Sequence, residues 1–252
     1  MSGKDKLRKF KENESFQCLH QPKTEEVLGK DYCMKGKWAS EVFKNNNPIT
    51  LELGCGKGEY TIALAKMYPN RNFIGIDIKG ARLWKGAKEA TQLNMPNVAF
   101  IRTRIEFIES LFDKDEIEQI WITFADPQIK RERKRLTGQM FLTRYRNFLK
   151  PDGIVNLKTD SRFLYEYTLA CTQENNLTLL KADSDIYSKA DIDPILTIKT
   201  FYEAHYLKKG LPITYMAFKI DNRGQLKFPQ WDEQYWEEEE IKSHGYTPAN
   251  KG

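Results

Sequence analysis

Between residues 49 and 220 the apolar residues of this chain change period again and again. They pass from the two-residue alternation of a strand to the spacing of about 3.6 of a helix, and back. Ile49, Leu51 and Leu53 alternate with Thr50 and Glu52. Segments 72–77, 98–101, 117–124, 154–158, 177–181 and 213–220 also read as strands, giving seven. Helical spacing falls between them over 60–68, 79–93, 105–112, 137–149, 162–174 and 197–206, with a loop over 183–197. Asn45-Asn46-Asn47-Pro48 ends a short helix expected over 37–43, and Pro69-Asn70 and Lys150-Pro151-Asp152-Gly153 are further breaks. Such alternation predicts an α/β fold: a mostly parallel seven-stranded sheet with helices on both faces. Ligands in such sheets bind outside the carboxyl ends of the strands.

At 252 residues with 40% apolar content, the chain suits one sizeable domain with attachments. Residues 1–36 form a polar, lysine-rich N-terminal tail, whose first thirty residues are expected to be loose or ordered only by a partner. The main domain spans 37–220. An acidic, aromatic C-terminal extension over 221–252 is expected to be solvated or docked on the surface. No apolar run approaches the ~18–20 residues of a membrane span, and the first residues lack the apolar stretch of a signal peptide. A cytoplasmic location without membrane attachment is expected. Four separated cysteines (18, 33, 55, 171) and three scattered histidines give neither metal-ligand nor redox spacing, so no metal is expected.

Four carboxylates, Glu52, Asp77, Asp126 and Asp160, fall at or just after strand ends. The first precedes the turn Gly54-Cys55-Gly56-Lys57-Gly58, where glycines let backbone approach a ligand closely. Glu52 would repel a pyrophosphate and attract the cationic part of S-adenosylmethionine. The glycine spacing also departs from the G-x-G-x-x-G dinucleotide fingerprint. Asp77 is placed to accept hydrogen bonds from ribose hydroxyls. The cofactor expected from these residues is S-adenosylmethionine; a nicotinamide cofactor and a purely structural turn are the weaker alternatives. Arg104, after the third strand, is placed to flank an adenine.

Asp126-Pro127 ends the fourth strand, and a cationic loop follows at once. Lys130, Arg131, Arg133, Lys134 and Arg135 fall within six positions in a chain whose net charge is only +5. So dense a cluster repels itself unless an anion neutralises it, which points to phosphate contacts with a nucleic acid. Arg144 and Arg146 are placed to extend the patch.

Leu51-Glu52-Leu53-Gly54-Cys55-Gly56-Lys57-Gly58, then Phe73-Ile74-Gly75-Ile76-Asp77, then Phe124-Ala125-Asp126-Pro127, then Lys158-Thr159-Asp160, then Thr200-Phe201-Tyr202-Glu203 together resemble the TrmB family of tRNA (guanine-N(7)-)-methyltransferases, over about residues 48–219. The resemblance implies the class I S-adenosylmethionine-dependent methyltransferase fold, a Rossmann-like architecture. It implies methyl transfer to N(7) of a guanine in the tRNA variable loop, by a monomer or homodimer. It places Glu52, Gly54, Gly56, Asp77, Arg104 and Asp126 at the cofactor, with Asp126 also catalytic. It places Lys130, Asp160, Thr200, Phe201, Tyr202 and Glu203 at the tRNA. The chain departs from the family at Gln128-Ile129, where Trp-Pro is usual, at Arg104, where aspartate is common, and in a shorter basic loop without its usual histidine. The alternatives are a methyltransferase acting on another substrate and a non-catalytic RNA-binding module on the same fold.

Overall fold

A computed structural model describes residues 3–222 and 224–244. The chain divides into two compact units, Met1–Thr123 with Arg144–Val155, and Phe124–Thr143 with Asn156–Gly252. The first contains α1 (Gly3–Asn13), β1 (Leu19–His20), α2 (Thr24–Val27), a π-helical turn Trp38–Phe43, β2 (Ile49–Leu53), α3 (Glu59–Met67), β3 (Asn72–Asp77), α4 (Gly80–Gln92), β4 (Val98–Arg102), a 3-10 turn Ile105–Phe107 leading into α5 (Ile108–Leu111), and β5 (Ile117–Thr123). The chain crosses the division within α6 (Gln139–Tyr145) and β6 (Leu149–Thr159). The second unit contains α7 (Arg162–Glu174), β7 (Leu179–Asp183), α8 (Phe201–Lys208), β8 (Thr214–Lys219) and α9 (Glu233–His244).

In the first unit the strands lie in the order β1-β4-β3-β2-β5, and every neighbouring pair is parallel. All five residues of β2 are buried, the polar Thr50 and Glu52 included. Burial of both side-chain sets is the mark of a parallel strand covered on two faces. Trp38 anchors the segment ahead of β2. It is fully buried, donates its indole N–H to the Leu111 carbonyl (2.8 Å), and meets His20 edge-on at 5.0 Å.

Three expectations need correction. The N-terminal residues are not a loose tail: α1 packs on α4, Asn13 donates to the Gly80 carbonyl (2.9 Å), and the Trp84 indole donates to Glu12 (2.7 Å). Leu19 and His20 pair with Phe100 and Ile101, making eight strands among the described residues where seven were expected. These contacts bridge some seventy to eighty positions, so local periodicity carries no trace of them. Lys150-Pro151-Asp152-Gly153 is no turn, because β6 runs through it. Lys150 to Asp152 sit in its exposed opening part, where a strand tolerates proline. The helix expected over 137–149 accordingly shortens to α6. The C-terminal extension carries α9, whose Trp236 is buried against Phe163, Tyr167 and Cys171. In the second unit β7 and β8 are antiparallel. Among the described residues no helix is long and apolar enough to cross a membrane.

Candidate functional site

In the first unit the glycine turn hangs between β2 and α3. Gly54 and Gly56 have φ of +76° and +57°, the left-handed region that favours glycine, and a Cβ at either would point into space with no atom within 4 Å. That open cradle is what a ligand lying against the backbone requires. Gly58 is also left-handed but serves packing, since a Cβ there would stand 2.6 Å from the Phe100 ring. Asp77 holds the turn from below. Its carboxylate accepts from the Gly56 amide (3.0 Å) and, through its other oxygen, from the Lys79 amide (2.7 Å).

Glu52 lies deeper than a free ligand-facing acid. One oxygen accepts from the Thr61 amide (2.8 Å) and the Thr61 hydroxyl; the other accepts from the Thr123 hydroxyl (2.6 Å). Its negative charge thus sits at the amino end of α3, where the helix dipole favours an anion. Burial pushes its carboxyl up to about 7; the hydrogen bonds from Thr123 and Thr61 pull the other way, and Asp77 adds to the rise. Neither threonine was marked by the sequence, because a hydroxyl partner has no spacing signature. Cys55 is buried and its thiol is held well above the ordinary range, chiefly by burial, so it is no nucleophile.

Arg104 is exposed and opens the 3-10 turn after β4. It lines a cleft of about 340 Å³ together with Ile78, Thr103, Phe107 and the stretch from Gln21 to Thr24. The last stretch was read as tail, so its part in the cleft was not visible in sequence. The open glycine cradle, the acid beneath it and the cleft beside Ile78 and Arg104 fit a nucleoside-bearing cofactor. Among the described residues no group of three metal-ligating side chains is found.

In the second unit Asp126 is exposed and accepts from the Gln128 amide (3.0 Å). Phe124 and Gln128, two residues to either side, both have left-handed φ (51° and 50°). Such strain at non-glycine residues persists only where surrounding contacts enforce it. One enforcing group is Arg135. Its buried guanidinium donates to the carbonyls of Pro127 (3.1 Å), Gln128 (3.1 Å) and Ile129 (2.8 Å) and lies over Phe163 and Tyr167, 4.7 and 4.1 Å from their centroids. Arg135 is therefore a brace for the loop and not a member of a phosphate patch. Arg144 does not extend that patch either: in the first unit it binds the Glu106 carbonyl (2.6 Å) and Glu109 (3.1 Å). Lys130 is exposed but ion-paired with Glu237 of α9.

The second unit gathers Asp126, Asp160, Tyr202 and Glu240 around Tyr206. Burial first, then the charges of Asp160, Tyr202, Glu240 and Asp126, push the Tyr206 hydroxyl up to about 12. Thr200 caps α8 by accepting from the Glu203 amide (3.2 Å), and Phe201 and Tyr202 are exposed. Glu203, the fourth residue of that motif, is instead fully buried. Its Oε1 takes the Lys158 ammonium (2.7 Å) and the Tyr187 hydroxyl (2.7 Å), and its Oε2 has no hydrogen-bond partner among the described residues. Lys158 also donates to the carbonyls of Leu196 (2.7 Å) and Ile198 (3.0 Å), tying the stretch before α8 to the end of β6. Burial lowers its pKa while Glu203 opposes the shift.

Comparison with known proteins places the chain among methyltransferases. The family model Methyltransf_4, described as "Putative methyltransferase", matches residues 46–216. A tRNA (guanine-N(7)-)-methyltransferase of Christiangramia forsetii is 54% identical over 87% of this chain and all of its own length. One of Bacteroides thetaiotaomicron is 48% identical over 90% of each chain, and one of Listeria monocytogenes 37% identical over 74% of this chain and 86% of its own. Among solved structures, the 16S rRNA methyltransferase KamB superposes with a TM-score of 0.56 at 12% identity, covering 71% of this chain and 91% of its own, a likeness of fold.

Two outcomes follow from the buried charges. Glu52 titrates higher in the folded chain than its ordinary 4.5, so the folded state holds the extra proton between pH 4.5 and about 7, and stability falls as pH rises through that window. Between pH 5 and pH 8, Glu52→Gln should gain on the parent by up to about 3 kcal/mol in urea unfolding; a difference that does not move with pH would show an ordinary carboxyl. Lys158→Met should destabilise by about 3–5 kcal/mol, because it strands a buried carboxylate. Adding Glu203→Leu should recover most of that loss, and a double variant no better than the single one would mean that the charges are not coupled.

Proposed function

We propose, on the premise that the chain belongs to the family of tRNA (guanine-N(7)-)-methyltransferases, that it methylates N(7) of a guanine in the variable loop of tRNA with S-adenosylmethionine as donor. The observation that carries the site assignment is the placing of acids at the strand ends: Glu52 and Asp77 fix an open glycine cradle, and Asp126 stands on a strained loop at the end of β5.

S-adenosylmethionine supplies a methyl group made electrophilic by its sulfonium sulfur. Gly54 and Gly56 admit it against the backbone, Asp77 offers acceptors to ribose hydroxyls, and the negative field of Glu52 favours a cationic ligand. Arg104 and the cleft beside it take the base. Guanine N(7) has a free lone pair and no proton, so the reaction needs no general base. What the chain must do is align the acceptor, exclude water and stabilise charge as the purine becomes cationic. Asp126 is exposed and suited to the last of these. Unit charges ~4 Å apart at an effective dielectric of ~20 interact by ~4 kcal/mol, which bounds its contribution. Asp160 accepts from the guanine N–H groups. Phe201 and Tyr202, exposed and edge-to-face at 5.7 Å, give a base a surface to stack on. Lys130 meets phosphate once Glu237 releases it.

Methyl transfer from labelled S-adenosylmethionine to unmodified tRNA, with the modified base identified, tests the whole proposal. Label on N(7) of guanine is the expected result; none, with cofactor still bound, overturns it. Asp126→Ala should lower kcat by roughly 10–100-fold while tRNA affinity changes by less than about threefold. Unchanged turnover removes Asp126 from the chemistry. Glu237→Gln should tighten tRNA binding about two- to fivefold at low salt and Lys130→Ala should weaken it, with the gain from Glu237→Gln absent once Lys130 is gone. A gain that persists without Lys130 means that the pair does not screen the lysine.

A further inference from the structure

The positive charge of this chain is not where its densest basic cluster lies. The second-unit loop 127–138 holds five cations and one carboxylate, and α9 holds five carboxylates and one cation. Their net charges, +4 and −4, cancel, and Lys130 paired with Glu237 joins the two. In the first unit, α1 carries five cations and two carboxylates and α4 three cations and one carboxylate. Their net charges of +3 and +2 equal the +5 of the whole chain, so these two packed helices hold an excess that the remaining residues do not add to.

The excess is organised. Arg8, Lys9 and Lys88 surround the Trp84 ring at 5.1, 4.9 and 4.8 Å, and Lys6 and Arg102 flank Phe10 at 5.9 and 4.7 Å. Cations seated on aromatic faces have less freedom to lose when an anion arrives. The acids of α1 are already engaged: Asp5 by Arg8 and Lys9, Glu12 by Arg8 and the Trp84 indole. Both are held below the usual carboxylate range, Asp5 mainly by Arg8 and Glu12 mainly by Trp84, so they stay ionised partners of those groups. Lys4, Lys6, Lys11 and Lys88 are left as the surplus. The layer also has a definite place: α1 reaches Gly80, three residues after Asp77, and Phe10 lies under Arg102, the last residue of β4. It thus borders the strand-carboxyl edge that carries the glycine turn.

We propose that the α1–α4 face is a docking surface for the phosphate backbone of the tRNA, away from the nucleotide that is methylated; the proposal rests on the tRNA reading given above. Charge complementarity selects this occupant: two rings capped by cations and four surplus lysines on two packed helices suit a polyanion. The test compares the intact chain with a Lys4→Gln, Lys6→Gln, Lys11→Gln, Lys88→Gln variant and with the same four lysines changed to arginine. tRNA binding is followed from 50 to 300 mM salt. Each lost phosphate contact lowers the slope of log K against log salt by roughly 0.7–0.9, so the glutamine variant should lose roughly two to three in slope and about tenfold or more in affinity at 150 mM. Its KM for tRNA should rise while kcat at saturating tRNA and S-adenosylmethionine affinity stay within twofold, and the arginine variant should behave as the parent. An unchanged slope and KM overturns the proposal. So does loss of binding to phosphatidylserine-containing vesicles with tRNA binding intact, which assigns the face to a membrane surface. A parent chain that transfers no methyl group to tRNA overturns the enzymatic reading instead, and the salt slopes judge the face independently of turnover.

Discussion

The first unit depends on a carboxyl group it has buried. Glu52 is almost out of water, in the middle of a parallel strand, and a carboxylate there is costly unless it is hydrogen-bonded. Thr61 meets that requirement from the first turn of α3 and Thr123 from the end of β5. The acid thereby fixes the distance from β2 to the helix that follows it and from β2 to its neighbouring strand. The glycine turn between β2 and α3 is held further by its backbone: the Gly54 and Cys55 amides donate to the Ile76 carbonyl (2.8 and 3.1 Å) and the Gly58 amide to the Cys55 carbonyl (2.8 Å). Asp77, gripping the Gly56 amide, sets the remaining height of the turn. Two carboxylates so close raise each other's cost, which is why Asp77 adds to the upward shift of Glu52.

Much of this was legible in the chain. Strand β2 runs into a glycine turn and β3 ends in an acid, and 72–77 and 162–174 coincide with β3 and α7 to the residue. Such elements bury a continuous face, so local pattern and tertiary structure demand the same residues. Where the two demands part, the sequence misleads. Pro151-Asp152-Gly153 reads as a turn because those residues favour turns locally, yet the opening of β6 is exposed and the strand passes through. Residues 3–13 read as solvated because most are charged, but Phe10 and Asn13 reach partners far along the chain. Arg135 stands in a run that looks like one patch. Only its neighbours in space, three carbonyls and two aromatic rings, separate it from the exposed cations beside it.

The site residues divide along the same line. Asp77 and Asp126 stand out in sequence as acids at the strand ends of a βα alternation, and in space Asp77 holds the Gly56 and Lys79 amides. Glu203 was findable only as a member of a motif, and its surroundings give it a buried partner that the motif does not name. Lys158 looks in sequence like one more polar residue at a strand end. In space it has three oxygen acceptors and no exposure, so its ammonium works as a clamp between β6 and the stretch before α8.

The two buried charges answer the same problem by different chemistry, and the difference bears on what each can do. Glu52 is held by neutral donors, so above about pH 7 its charge is shared but not cancelled. Lys158 and Glu203 cancel each other, so little field escapes and what the pair supplies is position. A buried ion pair seldom adds net stability over an apolar equivalent, because desolvating both partners offsets their attraction. Its advantage is direction: an ammonium with three acceptors has one good orientation, whereas apolar side chains slide. Phe201 and Tyr202, just ahead of Glu203, are exposed and follow directly on the capping Thr200. The clamp holds Glu203, and with it the first turn of α8, in one place.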